Sequence, residues 1–522
     1  MTEIMYHKTT NFSTKYEQYL VKISKKLRGT AKMIKYISTR DDKHQIESAQ
    51  AILNGLAGDG GLYVPENLDD LKLDYKEVIS KDYKGMAKDI FNKFFPDYGE
   101  ASIDEIVERS YKNKFSSPAI TPVVKLSSGY VLELYHGPTC AFKDVALSAL
   151  PNLMTVAREK TGFKDKILIL TATSGDTGSA ALHGFSDVPG TGIIVFYPDG
   201  GVSETQKLQM VTQSGKNTCA CAVRGNFDDA QTGVKKLFAE IPRPCEGVSL
   251  SSANSINIGR LVPQVVYYFS AYAQLVAEGE IEVGEEINFT VPTGNFGDIM
   301  AGFFAKKMGL PVGRLICASN KNDVLTEFLE TGHYNRKREF YKTSSPSMDI
   351  LVSSNLERLL FYVCGLENNK KYMKALSENG EYQISQEELA EIQKDFLGIS
   401  CDEETSAEVI SEVFAEEEYL MDTHTSVAWG AYKKYAECAK DERKNVVLST
   451  ASPYKFTKAV LSALGQDVSE SDEENMAKLE KVSEMPMSAP LADIFSKEIK
   501  HKDIIDCDEM RQYVVGKALN EW

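Results

Sequence analysis

Apolar strands that alternate with helical segments are the feature that most constrains the fold of this 522-residue chain. The strands are continuously apolar, unlike those of a sheet that has one face in water. The pattern predicts strands at 166–173, 191–197, 218–223, 248–251, 287–291 and 314–318, with helices at 179–185, 204–213, 228–241, 299–308 and 324–331. This order is typical of parallel sheets that are covered by helices on both faces.

These elements fall into two series, one before and one after residue 251. We therefore predict an α/β protein with two open, mostly parallel sheet domains. Ligands of such sheets bind at the carboxyl ends of the strands, so a binding cleft is expected between the two domains. The length and the 43% hydrophobic content are sufficient for two or three domains.

The composition limits the kinds of molecule that the chain is expected to bind. A net charge of −16 argues against nucleic acid or an anionic membrane surface as the main partner. No apolar run approaches the roughly 18 residues that cross a bilayer. The nine cysteines are scattered, and no Cys/His pair completes a metal site, so we expect free thiols in a reducing cytoplasm and no bound metal.

A lysine at the expected start of a helix is the strongest candidate for chemistry. Residues 131–135 alternate as a short strand does, and Gly137-Pro138 ends it. The residues after Ala141 suit a helix, which places Lys143 in the first turn. The positive end of the helix dipole favours an unprotonated amine there. Lys143 is therefore well placed to be a Schiff-base nucleophile, although this position alone also fits a solvated lysine.

Two glycine-containing loops each join a predicted strand to a predicted helix. They are residues 292–298 (PTGNFGD) and 173–178 (TSGDTG). Glycines let the backbone approach an anion, and the helix that follows directs free N–H groups at it. The first loop lacks the pattern of a nucleotide P-loop. On these residues alone the first loop is a weak signal, since many βα turns are glycine-rich for steric reasons, and an ordinary helix cap is the preferred interpretation of the second.

Several blocks together carry a resemblance to a known family. The segment 136–144 (HGPTCAFKD) resembles the lysine motif of threonine synthase, a fold-type II enzyme that uses pyridoxal 5′-phosphate (PLP). Residues 54–65 resemble the amino-terminal signature of that family, and 345–360 are similar to a block of its longer members. The blocks occur in the expected order between about Met33 and Phe456.

The resemblance implies a tryptophan synthase β-like fold, with the PLP cleft between the two sheets and a small N-terminal domain. It implies an N-terminal domain at 33–125, a catalytic core at 126–465 with the smaller subdomain near 140–255, and a C-terminal helical segment at 466–522. Residues 1–32 hold seven basic and two acidic residues. We expect them to be a dispensable extension, with a transit peptide as the alternative.

The resemblance also implies roles for individual residues. Lys143 is expected to be the catalytic residue. The cofactor-binding residues are expected to be Lys143, Gly294, Asn295, Phe296, Gly297 and Thr450, and the substrate-binding residues Ser174, Asp176, Thr177 and Arg260. For Arg260, an interdomain salt bridge is an equal alternative. Ser452 stands where the family commonly has histidine, so any role of that histidine is in doubt, and His424 is not counted as catalytic.

The activity that the resemblance implies is the conversion of O-phospho-L-homoserine and water to L-threonine and phosphate. It would proceed by PLP-dependent γ-elimination and β-addition. A related fold-type II lyase or dehydratase, or a non-catalytic homologue that binds a metabolite, remains an alternative. We expect a cytoplasmic monomer or homodimer that acts on this small molecule, without nucleic acid or membrane partners.

Overall fold

The computed structural model describes residues 34–519, so the expected extension at 1–32 lies outside the described residues. Within that range the strands form four sheets. The strands are β1 Tyr36–Ser38, β2 Asp41–Ile46, β3 Tyr63–Pro65, β4 Val123–Lys125, β5 Tyr130–Glu133, β6 Lys166–Ala172, β7 Thr191–Pro198, β8 Thr218–Arg224, β9 Val248–Ser251, β10 Ile287–Pro292, β11 Val312–Ser319, β12 His333–Asn335, β13 Glu381–Gln383, β14 Phe396–Ser400, β15 Asn445–Ser449 and β16 Asp503–Asp506.

Helices cover both faces of the large sheets. They are Ser48–Asn54, Tyr75–Ile79, Tyr83–Phe94, Glu100–Tyr111, Lys143–Leu147, Leu150–Thr161, Asp176–Phe185, Glu204–Val211, Phe227–Glu240, Ile258–Ala277, Gly297–Lys307, Val324–Thr331, Leu356–Asn379 with an interruption at Gly365, Gln386–Ile392, Glu403–Glu417, Thr423–Cys438, Thr457–Ala463, Asp472–Ser483, Ala489–Ala492 and Met510–Leu519. No helix between residues 34 and 519 combines the length and the apolar character needed to cross a membrane.

Two parallel sheets form the core, as the sequence predicts. The larger has the order β14-β11-β10-β15-β5-β4, and its strands are parallel except for β4, which runs antiparallel to β5. The smaller has the order β16-β8-β7-β6-β9 and is wholly parallel. Every residue of β7 and of β10 is buried, and the two polar side chains of β10, Asn288 and Thr290, are hydrogen-bonded to Asp441 and Asn445.

The N-terminal residues form a separate antiparallel sheet, β2-β1-β3, that is tied to the core by buried polar contacts. The guanidinium of Arg358, which is fully buried, donates to the backbone oxygens of Tyr63 and Ile256. The side chain of Asn257 donates to the oxygen of Ile52. Because these contacts satisfy buried backbone acceptors, they fix the small sheet against the helix that begins at Leu356.

The C-terminal residues contain a strand that the sequence analysis did not anticipate. Strand β16 lies parallel to β8 and forms one edge of the smaller sheet, so a segment expected to be helical contributes to that sheet. Its sequence, DIID, has only two apolar residues and carries no strand signal. The strand forms because the edge of β8 supplies backbone partners. After the strand, Met510 and Val514 are buried in the hydrophobic cluster that contains the apolar residues of β8.

Candidate active site

The Lys143 amine lies buried where elements of both sheets meet. Lys143 is the first residue of the helix Lys143–Leu147, as predicted, and it is only 8% exposed. Its Nζ lies 3.4 Å from Ser347 Oγ, 3.7 Å from Asp176 Oδ2 and 4.6 Å from the centre of the Phe142 ring. Burial lowers the pKa of Lys143 to about 8, against the attraction of Asp176. Such an amine can act as a nucleophile near neutral pH.

The turn before Lys143 is fixed by a buried carboxylate. Asp144 accepts hydrogen bonds from the backbone N–H and the hydroxyl of Thr139, at 2.8 and 2.6 Å. A Cβ on Gly137 would lie 2.4 Å from the Cβ of Asp144, so this position requires glycine. The N–H of Phe142 donates to the oxygen of Thr450 at 2.8 Å, which joins the lysine turn to the end of β15. The lysine backbone therefore has a fixed position.

The loop 292–298 follows β10 and is braced by another segment of the chain. The Ser353 hydroxyl donates to the oxygen of Gly294 at 2.7 Å, and the Asn355 side chain donates to the oxygen of Asn295 at 2.8 Å. Phe296 has a left-handed backbone conformation, with a φ of 60°, and the helix begins at Gly297. This helix start offers backbone N–H groups to an anion.

The two glycines of this loop are required for different reasons. A Cβ on Gly294 would lie 2.5 Å from the backbone oxygen of Ser347, so a protein contact excludes a side chain there. A Cβ on Gly297 would meet its nearest neighbour, Asn355 Nδ2, only at 3.5 Å, an ordinary contact. A side chain at Gly297 would thus fit the protein, and a need for glycine there would have to come from a bound group.

The loop 173–178 follows β6 and is held by its own residues. The Thr173 hydroxyl accepts from the N–H groups of Gly175 and Gly178, at 3.0 and 2.9 Å. The helix then begins at Asp176. Ser174 is exposed and Thr177 is half-buried, so both hydroxyls remain accessible. Their predicted role in binding the substrate stays a prediction.

The side chain of Asp176 contacts cations instead of pointing into solvent. Its Oδ1 lies 2.8 Å from Lys455 Nζ and accepts from Gln206 at 2.9 Å, while Oδ2 faces Lys143. Burial would raise the pKa of Asp176, but the two ammonium groups and these hydrogen bonds outweigh it and hold the pKa well below its usual value. A carboxylate repels a phosphate, so any contact with a substrate anion would have to come from the backbone N–H.

Arg260 is a buried guanidinium without a carboxylate partner. It is 5% exposed, and its Nη1 donates to the oxygen of Ala253 at 2.8 Å. Its Nε has no hydrogen-bond partner, and it forms no ion pair with any residue of 34–519. Burial lowers the pKa of Arg260 to about 10. Because buried polar atoms are normally paired, an anion is the expected partner, and the salt-bridge alternative finds no support.

Two residues at the site, Ser347 and Lys455, were not among the predicted site residues, and a third, His424, was considered and set aside. The N–H of Ser347 donates to His424 Nε2 at 3.1 Å, and the Nδ1 of that histidine lies 2.8 Å from Asp422 Oδ1. Nε2 accepts, so Nδ1 carries the hydrogen. Lys455 approaches from the turn after β15. Their positions in the sequence could have pointed to them. Ser347 lies in a family-like block, and Lys455 lies in the turn after β15, close to Thr450.

Thr450 lies directly after β15 and is 6% exposed. Its backbone contact with Phe142 places it beside the lysine turn. The structure thus brings Lys143, Asp176, Arg260 and Thr450 to the carboxyl ends of strands in the two sheets. The contact of the Thr450 hydroxyl with the pyridine nitrogen of PLP stays a prediction. So do the cofactor contacts of Gly294, Asn295, Phe296 and Gly297.

Two parallel sheets with a buried lysine between their glycine-containing loops are what a PLP-dependent enzyme of this fold presents, and residues 117–452 match the family model "Pyridoxal-phosphate dependent enzyme". Residues 35–111 match "Threonine synthase N terminus", and 425–514 match "Threonine synthase, C-terminal". The chain belongs to the threonine synthase family, which confirms the resemblance seen in the sequence.

Similar proteins cover most of the chain. Threonine synthase from Pseudomonas aeruginosa is 40% identical over 441 residues, which are 83% of this chain and 91% of that protein. Human threonine synthase-like 1 is 36% identical over 496 residues, and the match spans 90% of this chain but only 65% of that longer protein. The crystal structure of PLP-bound threonine synthase from Brucella melitensis has a TM-score of 0.83 and 35% identity, covering 93% of this chain and 100% of that one.

Proposed function

We propose that this chain is a threonine synthase, which converts O-phospho-L-homoserine and water to L-threonine and phosphate by γ-elimination and β-addition. The proposal rests on the buried Lys143 amine, whose pKa burial lowers to about 8 and which lies beside Asp176 of one glycine-containing loop and Ser347, which packs on Gly294 of the other. The similarity to threonine synthases supports the choice of reaction. The substrate carries both a phosphate and a carboxylate, and the buried Arg260 guanidinium, whose Nε has no hydrogen-bond partner among residues 34–519, suits either anion.

The residues present fit PLP. Lys143 supplies the amine, the braced loop 292–298 supplies N–H groups at a helix start, and Thr450 supplies a hydroxyl beside the lysine turn. A Cβ on Gly297 would make only ordinary contacts, with Asn355 and Ser255 at 3.5 and 3.6 Å, so the protein alone does not require glycine beside Asn295 and Phe296. When bound, PLP supplies an electron sink for the carbanion. We assign its phosphate to Gly294, Asn295, Phe296 and Gly297, and its pyridine nitrogen to Thr450.

The chain's own groups would then divide the work. Lys143 would hold the cofactor and, once its amine is free, move protons at Cα and Cβ of the substrate. A pKa near 8 lets this amine both accept and donate protons near neutral pH. Ser174, Thr177, Arg260 and the N–H of Asp176 would hold the substrate anions, so that the leaving phosphate keeps a fixed orientation.

The deciding experiment measures phosphate release from O-phosphohomoserine together with the threonine formed. Threonine and phosphate in equal amounts are expected from the native chain, and neither from Lys143→Ala. Ammonia released from threonine would instead identify a dehydratase. A yellow protein without turnover would indicate a non-catalytic homologue. Borohydride reduction and peptide mapping should place the pyridoxyl group on Lys143, and a label on Lys164 or Lys166 would contradict the assignment.

The same proposal includes O-phosphohomoserine as the small-molecule partner, a monomer or homodimer as the assembly, and the cytoplasm as the location. The acidic net charge of −16 supports the absence of a nucleic-acid partner. Light scattering on the purified chain measures the assembly directly. A trimer or a larger particle would contradict this part of the proposal without affecting the activity.

A further inference from the structure

A second buried lysine shares the carboxylate that faces Lys143. The side chain of Lys455 is 0% exposed, and its Nζ lies 2.8 Å from Asp176 Oδ1. The same ammonium donates to the backbone oxygen of Thr139 at 2.8 Å. Thr139 belongs to the turn that precedes Lys143, so Lys455 connects this turn with the start of the helix at Asp176.

The turn that carries Lys455 is fixed on both sides. The N–H of Ser452 donates to the oxygen of Cys140 at 3.1 Å, and Ala451 forms a β-bridge with Ala141. After the lysine, the ring of Phe456 packs edge-on against His424, with ring centres 4.9 Å apart. Lys455 is therefore a built part of the site, and its ammonium has a defined position.

The charged groups around the Lys143 amine come from several elements. They are Asp176, Lys455, Arg260, Asp144 and Asp298. Asp176 is nearer to Lys455, at 2.8 Å, than to Lys143, at 3.7 Å. A carboxylate that already holds one ammonium at contact distance attracts a second more weakly than a carboxylate without a partner would. The distances thus favour Lys455 as the main partner of Asp176.

We propose that Lys455 is a positioning residue for Lys143, which acts by holding the Asp176 carboxylate and preventing a close ion pair between Asp176 and the Lys143 ammonium. The Lys143 amine then remains available to attach the cofactor and to exchange protons. This inference deepens the proposed function, because it concerns the amine to which that function assigns the chemistry. A purely structural lysine would join the same elements but would leave the protonation of Lys143 unchanged.

The test measures the protonation of Lys143 without substrate or turnover. The full-length chain, freed of cofactor, is treated with a small acylating reagent across a range of pH, and mass spectrometry quantifies the label on Lys143. The midpoint is the pH at which labelling of Lys143 is half-maximal. In Lys455→Met it should rise by about one pH unit, because a repelling cation is lost and Asp176 keeps only one ammonium partner. The exposed Lys164 serves as the internal reference.

A second pair of variants tests whether Lys455 acts on Lys143 through Asp176 or by direct repulsion. Both variants lack the Asp176 carboxylate, so neither leaves it buried without a partner. Asp176→Asn alone should lower the midpoint for Lys143, because an attracting charge is removed. The double variant Asp176→Asn/Lys455→Met should differ from Asp176→Asn in the Lys143 midpoint by less than half of the shift that Lys455→Met causes in the otherwise native chain. If Lys455→Met does not fold, the double variant is compared with Asp176→Asn alone: a change of less than about half a pH unit supports the proposal, and a larger change overturns it.

An unchanged or lower midpoint in folded Lys455→Met would overturn the proposal. So would an equally large rise in the Asp176→Asn background, since Lys455 would then act by direct repulsion and not through Asp176. Failure to form threonine would contradict the proposed function and leave the labelling result intact. The two hypotheses can therefore fail separately.

Discussion

The loops 292–298 and 173–178 have similar sequences and similar places in their sheets, but different parts of the protein support them. The first is held from outside by Ser353 and Asn355, and Ser347 packs against Gly294. The first part of the second loop is held from within by the hydroxyl of Thr173, and its Asp176 side chain is held by other segments, through Lys455 and Gln206. The two external hydrogen bonds of the first loop come from residues 59 and 60 positions further along the chain.

This difference suits different ligands. A loop braced by neighbouring segments keeps one shape, which favours a cofactor that remains bound through many turnovers. A loop that supports itself can keep its hydroxyls accessible, as Ser174 and Thr177 are, which favours a substrate that enters and leaves. The comparison thus supports our proposal that the loop after β10 holds the cofactor phosphate and the loop after β6 the substrate anions.

The largest effect is expected from a side chain at Gly294. In Gly294→Val, the new Cβ would lie 2.5 Å from the oxygen of Ser347, so the loop must shift, and the cofactor and its visible absorption should be lost. Gly297→Ala is the matched control, because its Cβ finds neighbours only at 3.5 Å and beyond. It should leave the melting temperature of the cofactor-free protein unchanged and weaken PLP binding. Full colour in both variants would refute the cofactor assignment.

The next largest effect is expected from Thr173, whose hydroxyl supports the loop 173–178. Thr173→Val leaves two buried N–H groups without their acceptor and should lower the free energy of unfolding by about 1–3 kcal/mol, measured by urea denaturation. Thr171→Val, on the preceding strand β6, is the control, since the Thr171 hydroxyl is buried without a partner and its removal should be neutral or stabilising. Equal losses in both variants would show that Thr173 does not support the loop.

A smaller effect is expected from the accessible hydroxyls. Ser174→Ala and Thr177→Ala should each raise KM about tenfold, the loss expected for one hydrogen bond to a charged group. The visible absorption of the cofactor and the melting temperature should stay as they are, because neither residue braces the loop. Bleaching of these variants, together with an unaffected Gly297→Ala, would mean that the two loops exchange roles.

The smallest effect is expected at Thr450. Thr450→Ala removes a single hydroxyl near the lysine turn, worth about 0.5–1.5 kcal/mol, so kcat should fall by about 2- to 12-fold with PLP still bound. Thr450→Ser keeps a hydroxyl and should retain most of the rate. Loss of the cofactor from Thr450→Ala would place this residue among the groups that hold PLP, and not among those that tune it.

Much of the fold could be read from local patterns. The strand predicted at 166–173 is found at Lys166–Ala172, and the helix predicted at 204–213 at Glu204–Val211, where the Ser203 side chain caps its start. The helix predicted from 299 begins earlier, at Gly297, because the left-handed Phe296 and a glycine conceal its start from propensity. These elements were predictable because burial of each strand on both faces leaves a continuous apolar run.

The site was only partly predictable. Lys143 and its helix start were visible because a strand, a turn and a helix lie within one short segment. The meeting of Ser347, His424 and Lys455 around the lysine was not, since these residues are separated from it by 204 to 312 positions. No periodicity encodes which loops meet at the ends of two sheets, so these contacts could be found only from the fold.

The edge strand β16 has a consequence for synthesis on the ribosome. Its partner β8 ends at Arg224, and Asp503 follows roughly 280 residues later. At about 5–20 residues per second, the two are translated roughly 15 seconds to one minute apart. Throughout that interval the nascent chain carries β8 as an open edge that can pair with another chain. The edge is therefore closed only once Asp503–Asp506 has emerged, so β8 gains its protection against aggregation roughly 280 residues after it is made.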